Sequence, residues 1–106
     1  MFKGDLGELL RKAQEMGASL KSKQQELAAR RIQVSVGGGM VKMEFTGKGE
    51  ALSIAIDKEV VNPADLGMLQ DLVLSAVNEG VREAQRLQQE EMAKLAGGLR
   101  IPGLTA

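Results

Sequence analysis

Basic side chains in the first 31 residues are the feature of this sequence with the clearest chemical potential. This segment holds seven Lys/Arg against four Asp/Glu, a local charge of +3 in a chain whose net charge is zero. Six of those basic residues are Arg11, Lys12, Lys21, Lys23, Arg30 and Arg31. Such side chains contact phosphates, and contacts of that kind give affinity without sequence readout and weaken with salt. A solvated helix face would carry the same residues, so the charge pattern leaves both interpretations open.

Enzymatic chemistry has little support in the composition. The 106 residues include no Cys and no His, which removes the thiol nucleophile, the commonest general base and the commonest metal ligands. The carboxylate pairs Asp57/Glu59 and Glu90/Glu91 have no catalytic partner and suit a strand end and a solvated helix. We therefore predict a protein that is not an enzyme, with no catalytic residues, no metal, no cofactor and no small-molecule substrate.

The glycine-rich run Gly37–Lys42 resembles a phosphate-binding loop only superficially. That motif needs G-x-x-x-x-G-K-[ST] between a strand and a helix, whereas strand patterns flank this run on both sides. In the second glycine cluster, Lys48 is followed by Gly49 and not by Ser or Thr. Both clusters are therefore predicted to be hairpin loops.

A strand pattern extends from Ile32 to Asp57, where apolar residues occupy every second position. Period-2 alternation gives a sheet one apolar face and one polar face. The breaks at Gly37–Gly39 and Gly47–Glu50 are short enough for hairpins, so three antiparallel strands in sequence order are predicted. This meander has one face that must be covered.

Helical patterns flank the meander on both sides. The first helix is predicted from about Asp5 to Ala28, with Asp5 and Glu8 as a capping box. For the second, Asn62 is the predicted N-cap and Pro63 the first helical residue. It is predicted to end at Gly97-Gly98. We expect one α+β domain over residues 1–106, of order α-β-β-β-α, with flexible tails at 1–4 and 97–106.

The length of the second helix indicates self-association. About 33 residues extend roughly 50 Å, whereas a compact chain of this size has a diameter of about 35 Å. Part of the helix must project, and its apolar stripe then needs a partner. A second subunit is the easiest source, so a homodimer is predicted.

The rest of the composition bears on location and on the kind of ligand. No apolar run approaches the roughly 20 residues that span a bilayer, and Met1–Gly4 does not begin a signal peptide. The chain lacks Trp and Tyr, so a base-stacking platform for single strands is excluded. We expect a soluble cytoplasmic protein without a membrane partner.

Five motifs, in order and over nearly the whole chain, resemble the YbaB/EbfC family of bacterial nucleoid-associated proteins. They are L-L-R-K-A-Q-E-M at 9–16, G-G-G-M-V-K-M at 37–43, L-S-I-A-I-D at 52–57, L-Q-D-L-V-L-S-A-V-N-E at 69–79 and E-M-A-K-L-A-G-G-L at 91–99. The resemblance implies a three-stranded antiparallel meander flanked by two long helices, a tweezer-like homodimer, and binding of double-stranded DNA in the nucleoid without enzymatic activity.

The resemblance also implies where DNA is bound, because contact in such proteins is attributed to the long helices. The positions that fit the pattern are Arg11, Lys12, Gln14, Lys21, Lys23, Arg82, Arg86 and Lys94. The leading hypothesis is thus a nucleoid-associated homodimer that binds duplex DNA mainly through phosphates and modulates gene expression or nucleoid organisation. The alternative is a non-enzymatic helical dimer that serves as a protein–protein interaction module.

Overall fold

The computed structural model describes residues 3–98 of the chain, with side chains from 5 to 97. Two long helices flank a three-stranded sheet, and a short 3-10 turn (Lys58–Val60) precedes the second helix. The elements are α1 Lys3–Ala29, β1 Arg31–Val36, β2 Val41–Thr46, β3 Ala51–Ile56 and α2 Leu66–Gly98. This order confirms the predicted α+β architecture, and each strand lies where the alternation placed it.

The sheet is an antiparallel meander of order β1-β2-β3. The first hairpin turn requires its glycines, because Gly37, Gly38 and Gly39 have φ angles of 61°, 66° and 92°. Side chains with a Cβ rarely adopt such positive values. This run is therefore a turn between two strands, as predicted, and not a phosphate loop.

The core lies between α2 and the first two strands. Val34 of β1 and Phe45 of β2 are buried, and Ala76 of α2 is completely inaccessible to solvent. Gly80 lies against the Phe45 ring so closely that a Cβ at this position would overlap it. The apolar alternation of β1 and β2 thus explains which face receives the helix.

The third strand is left uncovered. In the sheet register Ile54 pairs with Met43 and Ile56 pairs with Val41, so both isoleucines share the apolar face with buried residues. Their exposed fractions are nevertheless 46% and 40%. The predicted apolar face is therefore only partly covered within one chain.

The start of α2 differs from the prediction. Asn62 is not the N-cap, because its Oδ1 accepts a hydrogen bond from the Ala64 N–H (3.0 Å) within a turn that includes Pro63. The helix begins at Leu66, and the Asp65 carboxylate accepts from the Met68 N–H at 3.4 Å. Asp65 is therefore the cap, since its side chain satisfies an otherwise unpaired N–H of the first turn.

The outer end of the first helix extends further than the sequence indicated, whereas α2 reaches Gly97-Gly98, where its end was predicted. The first helix begins at Lys3, two residues before Asp5, and α2 continues through Gly98. Of the predicted flexible tails, residues 3–4 and 97–98 are thus helical, while 1–2 and 99–106 lie outside the described residues.

The molecule is elongated, as the length of α2 indicated. Its principal extents are 74 × 27 × 17 Å and its radius of gyration is 20.9 Å, against about 13 Å for a compact chain of this size. Across residues 3–98, neither helix is both long and apolar enough to cross a bilayer.

Candidate nucleic-acid interface

The projecting part of the molecule is an antiparallel pair of helices, α1 together with residues 88–98 of α2, which we call the arm. Lys23 of α1 contacts Glu91 of α2, with 3.0 Å between Nζ and Oε2. Farther from the sheet, Leu20 and Leu95 are both half-buried. Because α1 leads into β1 while α2 runs away from the sheet, their free ends point in the same direction.

Gly47, in the loop between β2 and β3, is the point where the arm rests on the sheet. Its N–H donates to the Arg30 carbonyl (3.1 Å), and its carbonyl accepts from the Gln88 side chain (3.1 Å). A Cβ at Gly47 would lie 2.6 Å from the Leu27 carbonyl oxygen. The absence of a side chain at this position therefore allows both helices to approach the loop.

A buried carboxylate joins the two helices of the arm. The Glu91 side chain is 8% exposed, and three cationic groups surround it. Lys23 Nζ lies at 3.0 Å, Lys94 Nζ at 3.3 Å and Arg30 NH1 at 4.0 Å from its oxygens. Hydrogen bonds from Lys23 and then Lys94 lower the pKa of Glu91, and the same bond to Glu91 raises the pKa of Lys23.

This cluster corrects the interpretation of Glu90 and Glu91 as two solvated neighbours. Glu90 is exposed and pairs with Arg86. Glu91, one helical step of about 100° away, faces α1. Its long-range partner, 68 residues earlier in the chain, could not be found from local spacing.

The Glu91 cluster makes the stability of the arm depend on pH. The pKa of Glu91 in the folded chain lies below its ordinary value of 4.5. The stabilisation is therefore complete above the unfolded-state pKa and is lost as the pH falls through the folded-state value. Between about pH 6 and pH 3, we expect the unfolding free energy of the Glu91→Gln variant to fall less steeply than that of the wild type, measured by denaturant titration. Equal pH slopes would contradict this role.

The predicted site residues of α1 lie on more than one face. Arg11, Gln14 and Lys21 are exposed and fall within about 80° of one side of the helix, at 100° per residue. Lys12 is also exposed but is turned about 100° away from Arg11. Neither Lys12 nor Lys21 has an ion pair among the described residues, whereas Arg11 pairs with Glu8 at 3.2 Å on the exposed surface.

Three other predicted residues are engaged within the chain. Lys23 and Lys94 both pair with Glu91, and the Lys23 pair connects α1 to α2. Arg86 pairs with Glu83 at 2.9 Å and with Glu90. Arg82 is exposed on α2 without an ion pair among the described residues. Lys12, Gln14, Lys21 and Arg82 are thus exposed without an ion pair among the described residues, whereas Arg11, Lys23, Arg86 and Lys94 are paired.

Arg30 and Arg31 extend the basic surface to the base of the arm. They were counted in the charge run but not among the predicted site residues. Their side chains are 56% and 48% exposed, and Arg31 NH1 donates to the Ala28 carbonyl at 3.0 Å. In the sequence, both arginines directly follow the predicted end of the first helix, and this position could have indicated that they lie at the base of the arm.

These features describe a surface of exposed basic side chains along one helical arm. Among residues 3–98, no group of three potential ligands of the His, Cys, Asp or Glu type could hold a metal ion. The exposed cations Arg11, Lys12 and Lys21 lie along the rod-like arm. The fold and this surface define a small α+β protein with a basic helical arm.

Comparison with known proteins gives the family. The model of the YbaB/EbfC DNA-binding family matches residues 2–99, so the chain belongs to that family, which is non-enzymatic. A nucleoid-associated protein of Ruminiclostridium cellulolyticum is 47% identical over 97% of this chain and 90% of its own length. One from Syntrophobacter fumaroxidans is 51% identical over 76% of this chain and 74% of its own length.

The fold has a counterpart among solved structures. The crystal structure of an uncharacterised protein from Helicobacter pylori superposes with a TM-score of 0.76. The match covers 91% of this chain and 98% of the other, at 24% sequence identity. The arrangement of two long helices about the meander is therefore shared at low sequence similarity.

Proposed function

We propose that this chain is a nucleoid-associated protein that binds duplex DNA as a homodimer, mainly through phosphates, and modulates nucleoid organisation or gene expression in the cytoplasm. Membership in a DNA-binding family supports DNA as the partner, and the names of its relatives support the nucleoid. The observation that carries the proposal is the set of exposed cations on the arm: Arg11, Lys12 and Lys21.

Phosphate contact fits the geometry of that surface. Arg11 and Lys21 share one side of α1, and ten helical residues separate them by about 15 Å. Phosphates follow one another at about 3.4 Å of axial rise along each strand, so both side chains can reach the same backbone. Contacts to phosphate position a protein on the duplex but carry no sequence information.

The homodimer is supported by the apolar surface that one chain leaves open. On β3 this surface comprises Ile54 and Ile56. On α2 it continues with Leu74 and Val81, 60% and 39% exposed. Ala84 packs near Gly49 of the β2–β3 loop, so this flank of α2 lies towards β3. An apolar patch shared by a strand and a helix fits a second copy of the same surface.

Replacing Ile54 with Glu is expected to give a folded monomer, because the charge would enter the apolar contact between copies. Sedimentation velocity measures the mass, and circular dichroism checks the helix content. The matched control is Ala55→Glu, which places the same charge on the polar face of β3 opposite Lys42. A dimer that survives Ile54→Glu, or a control that dissociates equally, would reject this interface.

A salt titration of DNA binding tests the function itself. We expect a gel shift of mixed-sequence duplexes at low salt and a steep loss of affinity as salt rises. If each arm of a dimer neutralises three phosphates, log K should fall against log salt with a slope of about −5. Complete absence of binding at low salt would overturn the proposal.

The second candidate function is the protein–protein interaction module. It is favoured by the exposed methionines Met68 and Met92, 50% and 36% exposed, since Met-rich surfaces adapt to varied partners. Affinity capture after nuclease treatment distinguishes the two functions. A stoichiometric protein partner retained without nucleic acid, together with an absent gel shift, would favour the module.

A further inference from the structure

The outer end of α1 projects beyond its contacts with α2. All side chains from Asp5 to Glu15 are exposed, whereas Met16, Leu20 and Leu27 are at least half-buried. We call residues 5–15 the tip. The tip carries a stripe of large apolar side chains that nothing else among the described residues covers: Leu6, Leu9 and Leu10 are 49%, 58% and 57% exposed.

We propose that the tip pairs in antiparallel orientation with the tip of a second copy of this chain, so that arms join one dimer to another. This inference rests on the dimer of the proposed function, but it uses a different surface. An exposed leucine stripe on a helix favours burial against another helix. The charges beside the stripe identify that helix as the same segment.

The flank next to the leucines has one charge of each sign. Asp5 and Lys12 are seven residues apart and therefore lie on the same side of the helix. If two tips cross with a two-fold axis near Leu9, Asp5 of each copy meets Lys12 of the other. A parallel two-fold pair would instead turn these flanks to opposite sides of the contact, so that neither Asp5 nor Lys12 would meet a charged partner. Charge complementarity thus selects the antiparallel arrangement.

The one ion pair among the described residues of the tip also indicates which face of α1 would contact the second copy. Arg11 pairs with Glu8 at 3.2 Å, and both residues lie on the side of α1 opposite the leucines. Asp5 and Lys12, beside the leucines, have no ion pair with any described residue. The charges left without partners are therefore the ones that the second copy would meet.

The size of this contact sets its strength. Eleven residues make a helical segment about 16 Å long and about 10 Å wide, which is far smaller than the interfaces of about 1,200–2,000 Å² that form stable complexes. Tip pairing is accordingly weak in dilute solution. Dimers held side by side on DNA reach effective concentrations on the order of millimolar, where weak contacts become populated. Each dimer offers two tips, so the contact extends into chains of dimers.

Sedimentation across a wide range of protein concentration, without DNA, tests this inference on the full chain. The dimer mass at low concentration reports the proposed function, and growth beyond the dimer at high concentration reports tip pairing. Asp5→Lys and Lys12→Asp should each raise the concentration needed for growth by about 10-fold. The double variant Asp5→Lys/Lys12→Asp should restore growth, because complementarity returns with both signs exchanged.

The matched control for Lys12→Asp is Arg11→Asp, which makes the same change of charge on the opposite face of the tip. It should leave the growth beyond the dimer unchanged. Leu6→Gln/Leu10→Gln should abolish growth while the dimer and its helix content remain. A chain that stays dimeric at every concentration, or a double variant that is not restored, overturns the inference. Growth that appears only after residues 99–106 are deleted also overturns it, because the chain itself would then cover the tip.

Discussion

Removing three positive charges from the arm is expected to lower DNA affinity by roughly 10²–10³-fold at low salt. The variant is Arg11→Ala/Lys12→Ala/Lys21→Ala. All three side chains are exposed, so their truncation removes charge without opening a cavity. A dimer loses six charges in this way, and the slope of log K against log salt should become shallower, while Arg30 and Arg31 at the base of the arm retain part of the attraction. Fluorescence anisotropy with a labelled duplex at several salt concentrations measures both quantities.

The chain offers a control with the same charge and a different location. Lys42, Lys48 and Lys58 are also exposed but lie on the sheet and its loops. Their triple replacement by Ala changes the net charge equally and should preserve most of the affinity and of the salt slope. If both triple variants lose affinity to the same extent, only the net charge matters and the arm is not the site.

Single replacements would then identify the binding face of the helix. Arg11 and Lys21 share one side, whereas Lys12 is turned towards another. A larger loss for Arg11→Ala and Lys21→Ala than for Lys12→Ala would place the duplex on the first side. That result would also leave Lys12 free for the contact between tips.

The Gly80→Ala substitution is expected to destabilise the fold by about 3 kcal/mol. A single added methyl group has this effect because it would overlap the ring of Phe45, which is 1% exposed and held on all sides by the core. The gain in helix propensity from Gly to Ala, at most about 1 kcal/mol, is too small to compensate. A thermal midpoint lowered by more than about 10 °C at fixed protein concentration is the expected measurement.

Gly17→Ala is the appropriate comparison, since Gly17 is also within a helix but a Cβ there would meet nothing within 4 Å. We expect this variant to be neutral or more stable by about 0.5–1 kcal/mol. The double variant Gly80→Ala/Phe45→Leu should recover part of the loss, because a smaller side chain makes room for the methyl. A Gly80→Ala protein as stable as the wild type would show that α2 can shift away from the sheet at little cost.

Much of the fold follows from periodicity in the sequence. The period-2 pattern placed all three strands, because apolar side chains alternate along each of them and those of β1 and β2 face α2. The helix start at Asn62 was wrong for a local reason. Asn and Asp both cap helices and both form turns, and here Asn62 forms the turn while Asp65 forms the cap. Single-sequence patterns do not separate these two uses.

The candidate site was less accessible to such reasoning. Charge counts found the basic arm, but the sequence predicted Lys21 and Lys23 as DNA-binding residues without distinguishing the exposed lysine from the paired one. The difference between them comes from Glu91, which α2 brings to Lys23 from the far end of the chain. Likewise, alternation predicted an apolar side for β3, but it could not show that α2 covers β1 and β2 and leaves Ile54 exposed. Both facts depend on how the helices cross the sheet.

The seating of α1 at Gly47 has a mechanical consequence. The helix spans 27 residues and so extends about 40 Å from its attachment. A rotation of 10° about that pivot moves the far end by about 7 Å, or about two phosphate steps along one strand. If the arm binds DNA as proposed, a small rotation at Gly47 would therefore shift its outermost contacts by about that distance along the duplex.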